Sequence, residues 1–227
     1  MLVKFGNWIF HYRNFLFPVF YLTLFIPSPH LFSDHTISLT IGAIIIFLGM
    51  FTRSVTIGLV YIQRGGRNRR IHASKLVTEG IYSVCRNPMY LGNLLLLLGF
   101  GIFANSVLYL AIMFPVFGFI YLGIIKAEEA FLTNEFGEEY VEYRKKTFAI
   151  IPKLRGLGKI FANYKFNFTR VVIREYNSLF IYACGILLLC YYQQVMSLQT
   201  SAVLLVIVLV IYLVVKVLKR KRILTAS

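Results

Sequence analysis

The sequence predicts an all-α, polytopic membrane helix bundle of about six transmembrane helices. Three observations predict it. Of the 227 residues, 58% are hydrophobic, and they fall in runs of roughly the ~20 residues a helix needs to cross the hydrocarbon layer. The formal net charge is +15, and most of the basic residues sit in segments between the runs rather than within them. The polar connections alternate between segments rich in Lys and Arg and segments with none. A soluble globular domain does not carry this pattern. Nucleic-acid binding, the other common meaning of a strongly basic chain, is disfavoured because the cations are dispersed among inter-span loops. Contact with anionic lipid headgroups is the expected consequence instead.

The elements follow in order. Residues Met1 to Asn14 carry Lys4, Trp8, His11, Tyr12 and Arg13, with no small-residue cleavage site behind a short apolar core, so a signal peptide is not expected. Trp8 and Tyr12 suit an interfacial position. The first span is expected over Phe15–Leu31, broken by Pro18 and Pro27. His30 and His35, with Asp34 between them, are read as solvated loop histidines rather than metal ligands. The second span is expected over Ile37–Ile62. It contains Arg53, which is read as snorkelling to the far headgroups rather than as a ligand. A basic, glycine-containing stretch, Gln63 to Lys75, follows. It has no phosphate-loop spacing.

The third and fourth spans are expected over Met89–Phe103 and Val107–Ile125. Only Ala104, Asn105 and Ser106 separate them, so they form a tight antiparallel pair, with Gly92, Gly99 and Gly101 allowing close backbone approach and Pro115 kinking the fourth. An amphipathic surface helix is expected over Phe131–Phe148, with Gly137 as its candidate break and Phe136, Tyr140 and Tyr143 at helical spacing. Pro152 to Tyr176 is basic and aromatic and reads as a membrane-surface segment. Two further spans are expected over Leu179–Tyr192 and Ser201–Val217, followed by Lys219, Arg220, Lys221 and Arg222. Cys85, Cys184 and Cys190 suggest no disulfide framework.

Two polar segments stand out from this scaffold. In the first, Leu76 to Tyr90, Asn87 is a good helix N-cap and Pro88 suits the first helical position, where its missing N–H has no partner to lose. A helix therefore starts at the membrane surface, with the positive end of its dipole exposed and Arg86 beside it. The second segment, Lys126 to Tyr143, opens with Glu128 and Glu129. Paired carboxylates at a membrane boundary are costly unless solvated or partnered. A ligand with an anionic and a cationic end would satisfy both segments.

These segments resemble a known family. Gly80, Tyr82, Arg86, Asn87, Pro88, Tyr90 and Gly92, then Glu128, Glu129, Phe136, Gly137, Tyr140 and Tyr143, are similar to the pattern of the isoprenylcysteine carboxyl methyltransferase and phospholipid methyltransferase superfamily of integral membrane enzymes. The resemblance covers roughly Lys75 to Pro152. Asn87 stands where the family usually has His; Asn can hydrogen-bond but cannot titrate near neutral pH.

The resemblance implies a methyltransferase dependent on S-adenosyl-L-methionine, acting on a lipid-borne or membrane-embedded carboxylate or amine. It assigns Leu76, Val77, Tyr82, Arg86, Asn87, Pro88, Met89, Tyr90, Glu128 and Glu129 to cofactor binding, with Arg86 holding either the cofactor carboxylate or an acidic substrate group. No residue is assigned as general base and no metal is expected. The competing readings are an NADPH-dependent sterol-reductase-like oxidoreductase, which is similar around Arg86 to Tyr90, and a non-catalytic protein of the same fold. The expected organisation is residues 1–75 as N-terminal spans and basic loop, 76–152 as cofactor-binding core, and 153–227 as basic linker and C-terminal hairpin. Both termini and the cofactor pocket are expected on the cytoplasmic side, because Ser28–Thr36, Ala104–Ser106 and Gln193–Thr200 contain no Lys or Arg.

Overall fold

Glycines set how closely the membrane helices approach one another. A Cβ built on Gly49 would lie 2.9 Å from the carbonyl oxygen of Gly92, and one on Gly42 would lie 2.5 Å from the backbone nitrogen of Phe103. The helices carrying these residues, α2 (His35–Leu59) and α3 (Pro88–Phe103), therefore pack backbone to backbone. Ile46 and Leu96 fill the seam and are each 1% exposed. A second pair is built the same way. A Cβ on Gly6 of α1 (Leu2–Tyr21) would fall on the carbonyl oxygen of Gly123 in α4 (Phe114–Lys146). Phe5 packs on Phe119 beside that contact, and Phe17 and Phe20 pack on Phe117.

The computed structural model describes residues 1–59, 71–73, 75–153, 155 and 157–224. The basic stretch 63–70 and the end of the expected second span, 60–62, lie outside the described residues. Every regular element among the described residues is helical. The chain falls into two units, Met1–Tyr164 and Lys165–Ser227. The first holds α1 to α4 and the short α5 (Leu157–Asn163); the second holds α6 (Phe168–Tyr192) and α7 (Leu198–Arg220). Among the described residues, four helices are long and apolar enough to cross a membrane: His35–Leu59, Tyr109–Lys146, Phe168–Tyr192 and Leu198–Arg220. Phe15–Phe25 and Pro88–Phe103 are apolar but shorter.

Several expectations change. The first helix begins at Leu2, not Phe15, because Phe5, Gly6, Ile9 and Phe10 form a face that packs inward. Pro18 lies inside that helix, and the chain leaves it through a 3₁₀ turn at Leu22–Phe25. The third and fourth spans are joined by the expected three-residue turn, but α3 packs chiefly on α2 and α4 on α1. Asn105, in the turn with φ 52°, is 1% exposed. Its side chain accepts from the backbone N–H groups of Leu31 and Phe32 at 3.0 and 2.9 Å and donates to the Phe32 carbonyl at 2.9 Å. Pro115 removes a helical hydrogen bond, and the preceding turn, Tyr109–Met113, is widened to a π turn.

The expected surface helix over Phe131–Phe148 starts as a continuation of α4 past the Glu pair, and its expected break falls at Gly137, whose φ of 54° and ψ of −130° are non-helical. Tyr140 and Tyr143 face neither solvent nor lipid. They are 2% and 6% exposed and pack with Ala73 and Leu132, against Leu76, Phe131 and Phe136. Likewise Phe168–Tyr176, expected as part of a surface segment, forms the first turns of α6, because Asn167 caps it by accepting from the Arg170 N–H at 2.8 Å.

Candidate active site

The chain after α4 doubles back on the segment before α3, and this builds the site. The Arg86 N–H donates to the Phe148 carbonyl at 2.9 Å and the Asn87 N–H to the Ala149 carbonyl at 3.0 Å, while the Lys153 N–H donates to the Val84 carbonyl at 2.9 Å. The Tyr143 hydroxyl donates to the Tyr82 carbonyl at 2.7 Å. Gly80 supplies the positive φ of 58° that turns the chain into the 3₁₀ turn Gly80–Ser83, a conformation glycine adopts without steric cost. Leu76 and Val77, just ahead of it, are half-buried.

On this frame the two polar segments meet side chain to side chain. Arg86 Nη2 donates to Glu129 Oε1 at 2.6 Å, and both side chains are more than nine-tenths buried. Arg86 Nη1 also donates to the carbonyls of Arg144 and Thr147 at 2.9 and 2.7 Å. Lys126, half-exposed, donates to the other Glu129 oxygen at 2.8 Å. A planar guanidinium suits this task, because it spans a carboxylate and two carbonyls in a fixed fork. Beside this pair, the Tyr90 hydroxyl donates to Glu128 Oε1 at 2.6 Å, and the Tyr90 ring packs on Tyr121 at 5.3 Å. Glu128 is half-buried whereas Glu129 is buried.

Adjacent glutamates thus have different surroundings. Glu129 is neutralised by Arg86 inside the protein, so this arginine and this carboxylate satisfy each other directly. Glu128 is held by a phenol and is reachable. Pro88 is the first residue of α3, as its chemistry dictates. Asn87 occupies the N-cap position but makes no side-chain cap; its Nδ2 donates to the Ala149 carbonyl at 3.0 Å. The returning segment presents the Ala149 carbonyl to the Asn87 side chain, which bonds there instead of folding onto the helix. Met89 is half-buried in the first turn.

Arg53 is a correction and an addition. It does not snorkel to the far headgroups. It is 8% exposed, and its Nη1 donates to the Asn93 side-chain oxygen. Gly92 makes room: a Cβ there would lie 2.6 Å from Arg53 Cγ. Asn93 then supplies the acceptor one residue further on, so the guanidinium is satisfied inward. Arg53 and Asn93 lie one turn of α3 beyond Tyr90, and no sequence signal pointed to Asn93.

Cys85 is 1% exposed, and its thiol faces the carbonyl of Ile150 at 3.1 Å. Burial pushes the thiol pKa up from 9.0 to about 11, which leaves it unreactive at neutral pH. His30 and His35 pack edge to face at 4.8 Å. Among the described residues, no group of three or more His, Cys, Asp or Glu is arranged to hold a metal.

Comparison with known proteins agrees with these motifs. The phospholipid methyltransferase family model matches residues 37–139, which span α2, α3 and α4 through the Glu pair. The chain is similar to the cobalt-zinc-cadmium resistance protein CzcN of Cupriavidus metallidurans, with 34% identity over 117 residues, 50% of this chain and 52% of that protein. It is similar to the protein-S-isoprenylcysteine O-methyltransferase of Schizosaccharomyces pombe, with 35% identity over 115 residues, 46% of this chain and 45% of that protein. The corresponding enzyme of Saccharomyces cerevisiae is 28% identical over 114 residues, 49% of this chain and 48% of that protein. The chain spans about half the length of these curated relatives, and no solved structure matches it. Through residues 37–139, with Arg86, Pro88, Tyr90 and the Glu pair in place, this chain is similar to the phospholipid methyltransferase family and to the isoprenylcysteine O-methyltransferases.

Proposed function

We propose that this protein is an integral membrane methyltransferase that uses S-adenosyl-L-methionine and methylates a lipid-borne or lipidated acceptor. The observation that carries the reading is the pairing of the two motif segments through Arg86 to Glu129 and Tyr90 to Glu128. It joins a helix N-terminus at the edge of an apolar helix to two carboxylates of differing exposure. This donor set fits a zwitterionic amino-acid moiety. Glu128, half-buried and held by Tyr90, suits an ammonium or a hydroxyl; the first turn of α3 suits a carboxylate.

In this reading Leu76, Val77, Tyr82, Asn87, Pro88, Met89, Tyr90 and Glu128 line the cofactor pocket. Arg86 and Glu129 form its frame, holding α4 against the segment that starts α3. When bound, the cofactor supplies a methyl group on a sulfonium, which passes to an acceptor oxygen or nitrogen as the carbon–sulfur bond breaks. The protein need not supply a nucleophile. Its contribution is to align the reactants and exclude water, and alignment alone contributes on the order of several kcal/mol. An amine acceptor must first lose a proton, and Asn87, standing where the family usually has His, does not titrate to take it.

The acceptor reaches this site from the bilayer, because α2, α3 and α4 around it are apolar and expose Phe47, Phe51, Phe119 and Leu122 outward. The relatives named for isoprenylcysteine O-methylation favour a prenylated carboxylate over an amine. The proposed topology has six spans, the two shorter apolar helices included, with both termini and the pocket cytoplasmic.

Isothermal calorimetry on the detergent-solubilised protein tests the reading. S-adenosyl-L-methionine should bind to wild type and lose at least about tenfold in affinity in Glu128→Gln, the loss expected when a charged hydrogen-bond partner is removed. Binding of NADPH instead would transfer the chain to the reductase reading, and binding of neither would leave a non-catalytic protein of this fold.

A further inference from the structure

The second unit carries an ordered cationic end that the methyltransferase reading does not use. Residues 165–227 contain eight Lys and Arg side chains against a single acidic one, Glu175. All of them lie at the open end of the α6–α7 hairpin: Lys165, Arg170 and Arg174 where α6 begins, Lys216 to Arg222 where α7 ends. The closed end, Gln193–Thr200, has no charged side chain. Lys216 to Arg220 rises about 6 Å along the helix axis, comparable to the depth of a headgroup layer, and Lys221 and Arg222 lie in the turn that follows.

Side-chain geometry places two of these cations, Lys216 and Lys219. The Tyr176 and Tyr212 rings stack at 5.5 Å between the two helices, and Phe180 packs on Tyr212 at 4.4 Å. Lys216 lies over the Tyr212 ring at 5.5 Å and Lys219 over the Tyr176 ring at 4.7 Å. Lys219 Nζ also donates to the Ile173 carbonyl at 3.0 Å. The ammonium has three donors, so this bond orients the group without using it up. Below this layer α7 exposes Val206, Val210, Ile211 and Val214 to its surroundings, which in a spanning helix are acyl chains. An aromatic layer with lysine stems along it, charge beyond it and bare hydrocarbon below it matches one phospholipid from chain to headgroup.

We propose that the open end of the α6–α7 hairpin is a binding site for anionic phospholipid, with Lys216 and Lys219 engaging the headgroup phosphate, Lys221 adding charge in the turn beyond, and the Tyr176–Tyr212 stack setting its depth. The site is independent of the cofactor pocket.

Native mass spectrometry of the full chain, offered phosphatidylglycerol and phosphatidylcholine in equal amounts, tests it. Wild type should retain phosphatidylglycerol preferentially. The triple variant Lys216→Gln, Lys219→Gln, Lys221→Gln should lose at least about tenfold of that preference, since each interfacial cation contributes several-fold. The charge-keeping triple to Arg should retain it, which separates charge from damage to the hairpin. An equal number of neutralisations elsewhere, Lys4→Gln, Lys145→Gln and Lys146→Gln, should leave it unchanged. Added inorganic phosphate should not displace the lipid. Unchanged preference in the first triple, an equal loss in the control triple, loss in the Arg triple, or displacement by free phosphate would each overturn the proposal.

Discussion

Removing one charge, Glu129→Gln, separates the roles of two adjacent glutamates. The Arg86 and Glu129 side chains are 9% and 7% exposed and meet at 2.6 Å. Taking away one partner of such a pair leaves a buried charge uncompensated and costs on the order of 3–5 kcal/mol. Gln keeps the shape and one acceptor oxygen, and Arg86 keeps its bonds to the Arg144 and Thr147 carbonyls, so the lower figure of about 3 kcal/mol applies. Lys126 adds little, because its side chain is 52% exposed and such a pair contributes about 0–1 kcal/mol. For a chain of this size about 3 kcal/mol corresponds to a melting temperature about 6–12 °C lower. Glu128→Gln replaces one acceptor of a phenol at a half-buried position and should move the melting temperature by no more than about half as much. Buried Cys85 provides the assay. In a Cys184→Ser, Cys190→Ser background, a thiol-reactive fluorophore reports unfolding of the detergent-solubilised protein. High salt should not abolish the difference, since a buried pair is poorly screened. If Glu129→Gln melts with wild type, or Glu128→Gln melts as low as Glu129→Gln, the division into a framing and a ligand-facing carboxylate is wrong.

Other expectations follow from the same geometry. Gly137→Ala should destabilise by about 1–3 kcal/mol through its positive φ alone, since nothing lies within 4 Å of an added Cβ; a neutral result in the same melting assay would mean the bend relaxes. Asn105→Ala removes the acceptor of two part-buried N–H groups and should cost about 1–3 kcal/mol, read by denaturant titration, with Asn105→Asp restoring part of it. Cys85, with its pKa raised from 9.0 to about 11, carries a thiol that both the folded and unfolded states keep protonated below pH 9. Between pH 9 and about 11 the unfolded state releases the proton first, so this group lowers stability as pH rises through that window; alkylation of folded protein should stay slow until the upper end. Membrane-impermeant labelling from outside should modify a cysteine placed at Ser33 or Gln199 and not one at Asn68; outside labelling at Asn68 would reverse the proposed orientation.

Much of this architecture was legible because local chemistry fixed it. Pro88 at the start of α3, the three-residue turn at Ala104 to Ser106, the bend at Gly137 and the approach of the Glu pair to the Arg86 segment all follow from residue type and spacing. What was not legible depended on partners far along the chain. Phe5, Gly6, Ile9 and Phe10 have helical period, yet only the notch at Gly123 shows that α1 starts at Leu2 and packs inward. Arg53 looked like a snorkelling cation because Gly92 and Asn93, 39 and 40 residues later, give no sign of receiving it. Asn87 has the chemistry of an N-cap, and only the returning segment at Ala149 shows that its side chain is taken elsewhere. The glutamates look alike in sequence and differ because Arg86 reaches one of them.

The central claim is transfer of a methyl group to an acceptor held in the membrane. The membrane-embedded protein should be incubated with methyl-labelled S-adenosyl-L-methionine and a total lipid extract supplemented with a prenylated cysteine. The predicted result is label in the organic phase, lost in Glu128→Gln, with volatile label released by base marking a methyl ester and alkali-stable lipid label marking an amine. Label confined to a water-soluble product, or no transfer by protein that binds the cofactor, would contradict the account.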